Sequence, residues 1–161
     1  MPYPIDDKLV IAVSSSALFD MQASDAIFKQ DGEDAYRKYQ QNNIDVPLEI
    51  GVAFPFIKRL LSLNASFPEE QPIEVILFSK NSPETGLRAF RSIQHYKLNI
   101  SRACFSSGNS NHQYLPAFNS TLFLTTNIED AREALANGIT AGVVGKQEIH
   151  DSNEEGLCLA F

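Results

Sequence analysis

The stretch VILFSKNSPETG places a hydroxyl group, a cation and an amide between an apolar run and a helix start. Ser79, Lys80 and Asn81 follow the apolar residues, and Ser82 and Pro83 suit the N-cap and the first position of a helix. Such side chains, together with the free backbone N–H groups of a helix start, can bind an anion. The stretch therefore predicts a phosphate-binding site, and a polar turn with a surface lysine is the alternative.

A second polar stretch, SSSALFD, follows the apolar run LVIAV. Ser14, Ser15 and Ser16 supply hydroxyl groups that could hydrogen-bond a substrate, at a position where several phosphate-transfer families keep carboxylates. A serine-rich turn, with Asp20 capping the next segment, explains the same residues without a ligand and is the interpretation we rank first.

A third stretch, LFLTTNIEDAREALANG, repeats the order of apolar run, polar turn and helix start. Asn127, Glu129 and Asp130 are candidate ligands of Mg²⁺, which binds one or two carboxylates together with water and substrate oxygens. Acidic residues are also common in first turns because they interact favourably with the helix dipole, and composition favours that explanation. The three histidines lack metal-ligand spacing, and the polar segment 106–114 could border a ligand cleft.

Length and charge restrict the class of protein. The chain has 161 residues, of which 43% are apolar, so it is long enough for one domain with a substantial core. Its net charge of −7 argues against a nucleic-acid partner, because binding to a phosphate backbone needs clustered Lys and Arg. An anionic small molecule is still compatible with this charge if a few cations lie in one cleft.

The cysteines and the amino-terminal residues bear on the cellular compartment. Cys104 and Cys158 lie in strand-like apolar contexts, which favours buried free thiols over a disulfide. The start MPYPIDDK lacks the basic and apolar parts of a signal peptide, and no apolar stretch approaches the ~20 residues of a membrane helix. We therefore expect a cytoplasmic protein with no membrane partner.

Short apolar runs alternate with helical patterns along the chain. Predicted strands are Leu9–Val13, Ile73–Phe78, Arg102–Phe105, Leu122–Leu124, Thr140–Val144 and Leu157–Phe161. Predicted helices cover 21–42 (one polar helix or a pair), Val52–Leu63 with Asn64 as the stop, a segment from Pro83, and a segment from Asn127 to Asn137. This alternation predicts one α/β domain over residues 1–161, a three-layer and mostly parallel sheet with helices on both faces. Ligands of such sheets bind at the carboxyl ends of the strands, where all three polar stretches lie.

Four segments together resemble the cytosolic type-I 5′-nucleotidases, which belong to the haloacid-dehalogenase-like phosphohydrolases. They are IAVSSSALFD, EDAYRKYQ, ILFSKNSPETGLRAFRSIQHY and LFLTTNIEDAREALANGITAGVV. The similarity runs from about Leu9 to the last residue, and the segment 76–96 is long enough to be specific.

The resemblance implies hydrolysis of nucleoside 5′-monophosphates with Mg²⁺ as cofactor. In the superfamily an Asp carboxylate attacks phosphorus to form an aspartyl-phosphate, and a second Asp two residues later acts as acid and base. Ser79 matches the hydroxyl residue that holds a phosphate oxygen, with Asn81 beside it. The segment Thr126–Asp130 matches the acidic metal motif only loosely, because Asn127 stands where an acid is expected.

Two departures from the family pattern affect the expected activity. Pro116 stands where the family resemblance suggests a lysine, and Lys80 is a candidate for its role. The nucleophile stretch of the family resembles DGDAVLF and is expected after Phe161, so no catalytic residue is expected within this chain. We therefore expect an incomplete part of a larger 5′-nucleotidase, inactive alone, whose exposed apolar strand favours self-association into a homo-oligomer.

Two other classes of function remain open. A non-catalytic module could hold a nucleotide or phosphate without hydrolysing it, or complete its site with a second chain. A flavodoxin-like α/β interaction domain would use Ser79–Ser82 only as a helix cap.

Overall fold

The computed structural model describes residues 7–145, 149, 156 and 157. In this part of the chain the strands are β1 Leu9–Ser14, β2 Phe19–Asp20, β3 Glu49–Ile50, β4 Ile73–Ser79, β5 Arg102–Phe105, β6 Leu122–Thr125 and β7 Thr140–Val143. The α-helices are α1 Ser15–Leu18, α2 Gln22–Asn42, α3 Phe54–Ser62, α4 Pro83–His95 and α5 Ile128–Ala136. Short 3₁₀ helices span Leu63–Ser66, His112–Tyr114 and Pro116–Phe118.

Five of the strands form one parallel sheet in the order β5-β4-β1-β6-β7. The first strand lies at the centre, paired with β4 on one side and with β6 on the other. Along the chain, β4 and β5 extend the sheet on one side of β1, and β6 and β7 then extend it on the other side. The order therefore reverses at β1 and β6, and open α/β sheets bind ligands beyond the carboxyl ends of the strands at such a point.

Each face of the sheet packs against its own layer of helices, because successive side chains of a strand point to opposite faces. In β1, Ile11 and Val13 pack into a core with residues of α1, α3 and α4, whereas Val10 and Ala12 pack into a second core that includes Ala134 of α5. All of these β1 residues are at most 2% exposed. The predicted three-layer, mostly parallel α/β fold is confirmed.

The predicted elements differ from the observed ones mainly at their ends. The helix predicted from Val52 to Leu63 spans Phe54–Ser62, and the chain continues past Asn64 in a 3₁₀ helix instead of stopping there. The predicted polar segment 21–42 is a pair of helices that meet at a kink at Gly32, whose φ of 85° and ψ of −175° are not helical. The antiparallel pair of β2 and β3 was not predicted, and the predicted strand Leu157–Phe161 lies, apart from its first residue, outside the described residues.

Two features of the described residues bear on compartment and on thiol chemistry. None of the helices in residues 7–145 combines the length and the apolar composition needed to cross a membrane. Cys104 is a half-buried free thiol whose pKa is raised by burial, as expected for a thiol without a bridge, and Cys158 lies outside the described residues.

Asn64 fixes the start of β4, and its loss should destabilise the fold. Its buried side chain donates to the Ile73 carbonyl at 2.8 Å and accepts from the Ile73 N–H at 3.0 Å. Asn64→Ala would leave both backbone groups unpaired, so we expect the free energy of unfolding in urea to fall by about 1–3 kcal/mol. Asn99→Ala is the matched control, because this exposed asparagine makes a long 3.4 Å bond to another exposed side chain. Equal losses for the two variants would contradict the prediction.

Candidate functional site

The carboxyl ends of three neighbouring strands bring hydroxyl groups together around one cavity. Ser14 is the last residue of β1, Ser79 is the last residue of β4, and Thr126 directly follows β6. Because β4, β1 and β6 are adjacent and parallel, these side chains all lie at one edge of the sheet. They line a cavity of about 540 Å³, which is within the usual range for small-molecule sites.

The hydroxyl groups form hydrogen-bonded pairs across the strands. Ser15 Oγ lies 3.1 Å from Ser79 Oγ, which joins the ends of β1 and β4. Ser16 Oγ lies 2.9 Å from Thr126 Oγ1, which joins the ends of β1 and β6, and 3.2 Å from Ser14 Oγ. The network holds these oxygens in place, and each hydroxyl proton can rotate to donate to a ligand oxygen.

Backbone contacts hold the segment after β4 in place. The Asn81 N–H donates to Ser79 Oγ at 3.2 Å, so the hydroxyl oxygen is fixed by its own loop. The following polar loop packs along the same segment, with the Gly108 N–H donating to the Lys80 carbonyl at 2.6 Å and the Ser107 N–H donating to the Asn81 carbonyl at 3.2 Å. The predicted phosphate-binding segment is therefore held between α4 and this loop.

Lys80 and Asp130 form an ion pair at the edge of the cavity. Lys80 Nζ lies 2.7 Å from Asp130 Oδ1, and both residues line the cavity. The ammonium side chain is 41% exposed and the carboxylate side chain only 15%. The pair adds no net charge, so the positive charge that would attract an anion is largely offset by Asp130.

A buried histidine lies behind the carboxylate. His112 is 1% exposed, its Nδ1 lies 2.6 Å from Glu133 Oε2, and its Nε2 points towards Asp130 Oδ1 at 3.9 Å. The hydrogen bond from Ser110 lowers the pKa of Glu133 most, and His112 lowers it further. The imidazole is therefore held by Glu133 on the surface of α5, and its Nε2 faces Asp130 beyond hydrogen-bond distance.

The structure brings most of the residues predicted for the site together. Eight of the nine line the cavity: Ser14, Ser15, Ser16, Ser79, Lys80, Asn81, Asn127 and Asp130. Glu129 does not, because its carboxylate pairs on the surface with Arg132 at 2.7 Å. The side chain of Asn127 caps α5 by accepting from the N–H groups of residues 129 and 130. Pro116 is exposed and does not line the cavity, whereas Lys80 does.

Several residues at the cavity lacked a role in the sequence analysis. Asp25 and Asn111 line it, and Ile128 contributes an apolar side chain. Asp25 comes from α2 and Asn111 from the polar loop 106–114, which the sequence analysis expected only to border a cleft. No local pattern marks either residue, because both reach the site through tertiary packing. Asp20 accepts from the Gln22 N–H at 2.9 Å, which is the predicted capping role.

Hydroxyl and amide side chains outnumber carboxylates in the lining of the cavity. Among the described residues, Asp25 and Asp130 contribute carboxylates to the cavity. One oxygen of Asp130 is already paired with the ammonium group of Lys80. Within residues 7–145, no three His, Cys, Asp or Glu side chains form a group that could hold a metal ion. Of the three predicted Mg²⁺ ligands, Asn127 and Asp130 line the cavity and Glu129 does not, so the metal site stays a prediction and no step proposed below depends on the metal.

Comparisons with known proteins identify the family. A family model described as 5′-nucleotidase matches residues 1–161, the whole chain. The chain belongs to the 5′-nucleotidase family. Human (Homo sapiens) cytosolic 5′-nucleotidase 1B is 35% identical to it over 150 residues, which cover 89% of this chain. The match covers 25% of that relative, so the chain spans about a quarter of its length.

Two solved structures also resemble this nucleotidase-family chain. Both are of the HAD domain of the effector protein Lem4 from Legionella pneumophila, one of them an inactive mutant. Their TM-scores are 0.48 and 0.46, each at 8% identity and with coverage of 87% of this chain and 86% of theirs. Similarity at this level assigns no function to the cavity.

Neutralising Asp130 should increase the affinity of the cavity for inorganic phosphate. Asp130→Asn removes a negative charge and releases Lys80 Nζ from its ion pair. In buffer without Mg²⁺ we expect phosphate to bind at least about threefold more tightly, measured by isothermal titration calorimetry. Glu129→Gln makes the same change of charge on the neighbouring residue outside the cavity, and it should leave affinity unchanged. Weaker phosphate binding by Asp130→Asn would show that the carboxylate supports the site instead of competing with it.

Proposed function

We propose that this chain supplies the phosphate-binding part of a 5′-nucleotidase that acts on nucleoside 5′-monophosphates. Membership of the family supports the reaction class, and the cavity supports the binding role. The relative named above is cytosolic, which supports a cytoplasmic location for this chain as well.

The observation that carries the proposal is the convergence of five hydroxyl groups at the reversal point of the sheet. They belong to Ser14, Ser15, Ser16, Ser79 and Thr126. Hydrogen bonds to a charged acceptor contribute more than those between neutral groups, so a phosphate would gain most from this arrangement. Ser79 is the central contact, because its oxygen is fixed by two hydrogen bonds while it lies at the cavity wall.

Lys80 supplies the positive charge in this proposal. Its ammonium group lies at the cavity and would shift from Asp130 to an incoming phosphate dianion, which carries more charge than one carboxylate. Asn81 stays in place, because its side chain accepts a hydrogen bond from the hydroxyl group of Tyr36 at 3.2 Å. These groups bind and orient the phosphate before any bond is broken.

Hydrolysis by the route that the family resemblance implies needs a pair of Asp carboxylates in a specific spacing. The 161 residues contain no two Asp residues spaced two apart, which is the spacing that the family resemblance implies for the attacking and the acid–base carboxylates. We therefore propose that polypeptide other than these residues supplies the carboxylates, and that Mg²⁺ acts with them.

A second candidate function is nucleotide binding without hydrolysis. The hydroxyl groups at the end of β1 favour it, since a serine without an adjacent base is a poor nucleophile. In that case the chain would hold a nucleotide as a complete function of its own.

Replacing Ser79 tests the binding role that both candidates share. Ser79→Ala removes one hydrogen bond to the phosphate, so we expect the affinity for inorganic phosphate and nucleoside 5′-monophosphates to fall about fivefold or more. Calorimetric titration gives the affinities, and thermal unfolding verifies that the variant is folded. Ser101→Ala is the control, because this exposed serine precedes β5 at the opposite edge of the sheet. An unchanged affinity in Ser79→Ala would favour the interaction-domain alternative, in which this segment is only a helix cap.

Phosphate release distinguishes a part of an enzyme from a complete one. We expect the 161-residue chain to release no phosphate from a panel of nucleoside 5′-monophosphates, with or without Mg²⁺, because the covalent route lacks its nucleophile. A colorimetric assay of free phosphate over several hours measures this. Mg²⁺-dependent release that disappears in Ser79→Ala would contradict the proposal and place a nucleophile within these residues, with Asp20 and Asp130 the first to test.

A further inference from the structure

A second cavity adjoins the proposed phosphate site, and Phe28 and Glu33 in its lining have no role so far. Its volume is about 360 Å³, which suits a small organic group. Asp25, Lys80 and Asn81 line both cavities, so a ligand that lies in one can extend into the other. The residues that the second cavity adds come from α2, from the start of α4 and from the polar loop 106–114: Phe28, Glu33, Tyr36, Arg37, Ser82, Ser107 and Gly108.

An aromatic pair on α2 forms part of its wall. The rings of Phe28 and Tyr36 meet edge to face, with centroids 5.8 Å apart and planes at 88°. The two residues lie on either side of the kink at Gly32. Tyr36 is buried, whereas Phe28 is 52% exposed although it is a large apolar side chain. An exposed ring supported by a buried one provides a surface on which a flat ligand can stack.

Tyr36 connects this wall to the phosphate site. Its hydroxyl group donates to Asn81 Oδ1 at 3.2 Å. Burial raises the pKa of Tyr36, and the negative charge of Asp25 raises it further, so the hydroxyl keeps its proton at neutral pH. The aromatic pair therefore stays at a fixed position relative to the segment that follows β4.

The charges around the second cavity disfavour a second phosphate. Asp25 and Glu33 contribute carboxylates, and both cations of the lining are already paired, Arg37 with Glu33 at 3.1 Å and Lys80 with Asp130 at 2.7 Å. Carboxylates accept hydrogen bonds from ribose hydroxyl groups, as they do in dinucleotide-binding folds. Asp25 lies where the two cavities meet, which is where the sugar of a nucleotide with its phosphate in the first cavity would lie.

We propose that the second cavity binds the nucleoside of a nucleoside 5′-monophosphate, with the base stacked on Phe28 and the ribose near Asp25. The inference rests on the proposed function, since it places the phosphate among the hydroxyl groups of the first cavity. It assigns to α2 the role of distinguishing a nucleotide from other phosphate esters.

The test compares three ligands with increasing parts of a nucleotide. Inorganic phosphate, ribose 5-phosphate and a nucleoside 5′-monophosphate are titrated into the wild-type chain and into Phe28→Ala by calorimetry. Stacking of a base on an aromatic side chain is lost in the variant, so the affinity for the nucleotide should fall at least about fivefold. The affinities for phosphate and ribose 5-phosphate should stay within about twofold.

Two further variants make the result specific. Phe67→Ala is the matched control, because Phe67 is also 52% exposed and lies outside both cavities. It should bind all three ligands like the wild type. Phe28→Trp keeps an aromatic face and should retain nucleotide affinity, which separates stacking from a structural effect on α2.

The outcomes separate the two proposals. If the wild type binds none of the three ligands, the phosphate site itself is wrong and the nucleoside subsite is wrong with it. If phosphate binds and the nucleotide binds no more tightly, or if Phe28→Ala and Phe67→Ala behave alike, the phosphate site stands and the nucleoside subsite is overturned.

Discussion

The parallel pairing of the buried strand β1 with β4 and β6 is the constraint on which the site depends. Residues 10–13 are at most 2% exposed, and their alternate side chains belong to two different cores, so the strand cannot slip by one residue without exchanging its faces. The same pairing sets Ser14 beside Phe78, one residue before Ser79. The hydroxyl groups of the cavity therefore meet because apolar packing aligns the ends of their strands.

Hydrogen bonding then replaces apolar packing at the end of the sheet. Ser14, Ser15 and Ser79 are all at least nine-tenths buried, and such polar groups are costly unless they have partners. They find them in one another and in the backbone, which keeps the oxygens at defined positions. A ligand with several acceptor oxygens would meet hydroxyl groups whose positions are already fixed, so these side chains would lose little conformational freedom when it binds.

Charge is distributed unevenly around this edge. The chain carries a net charge of −7. Lys80 nevertheless contributes a positive charge to the lining of the cavity at the ends of β1, β4 and β6. Its pairing with Asp130 balances that charge when no anion is bound. In the proposed site a phosphate would compete with this carboxylate for the same ammonium group, which would make its binding sensitive to the state of Asp130. The aromatic pair of α2 lies beyond this charged edge, where stacking can contribute independently of charge.

The sequence by itself determined the order of the five strands of the parallel sheet and of the longer helices, together with eight residues of the cavity. It could do so because buried strands of a parallel sheet are continuous apolar runs, and because polar residues directly after such runs must lie at one edge. The pairs Ser15–Ser79, Ser16–Thr126 and Lys80–Asp130 were decided only by the tertiary structure, since their members are 50 to 110 residues apart. The same is true of Asp25, Phe28 and His112, whose local sequence is typical of a polar surface helix or loop. Their positions follow from the kink in α2 and from the packing of the loop after β5, and both depend on the whole fold.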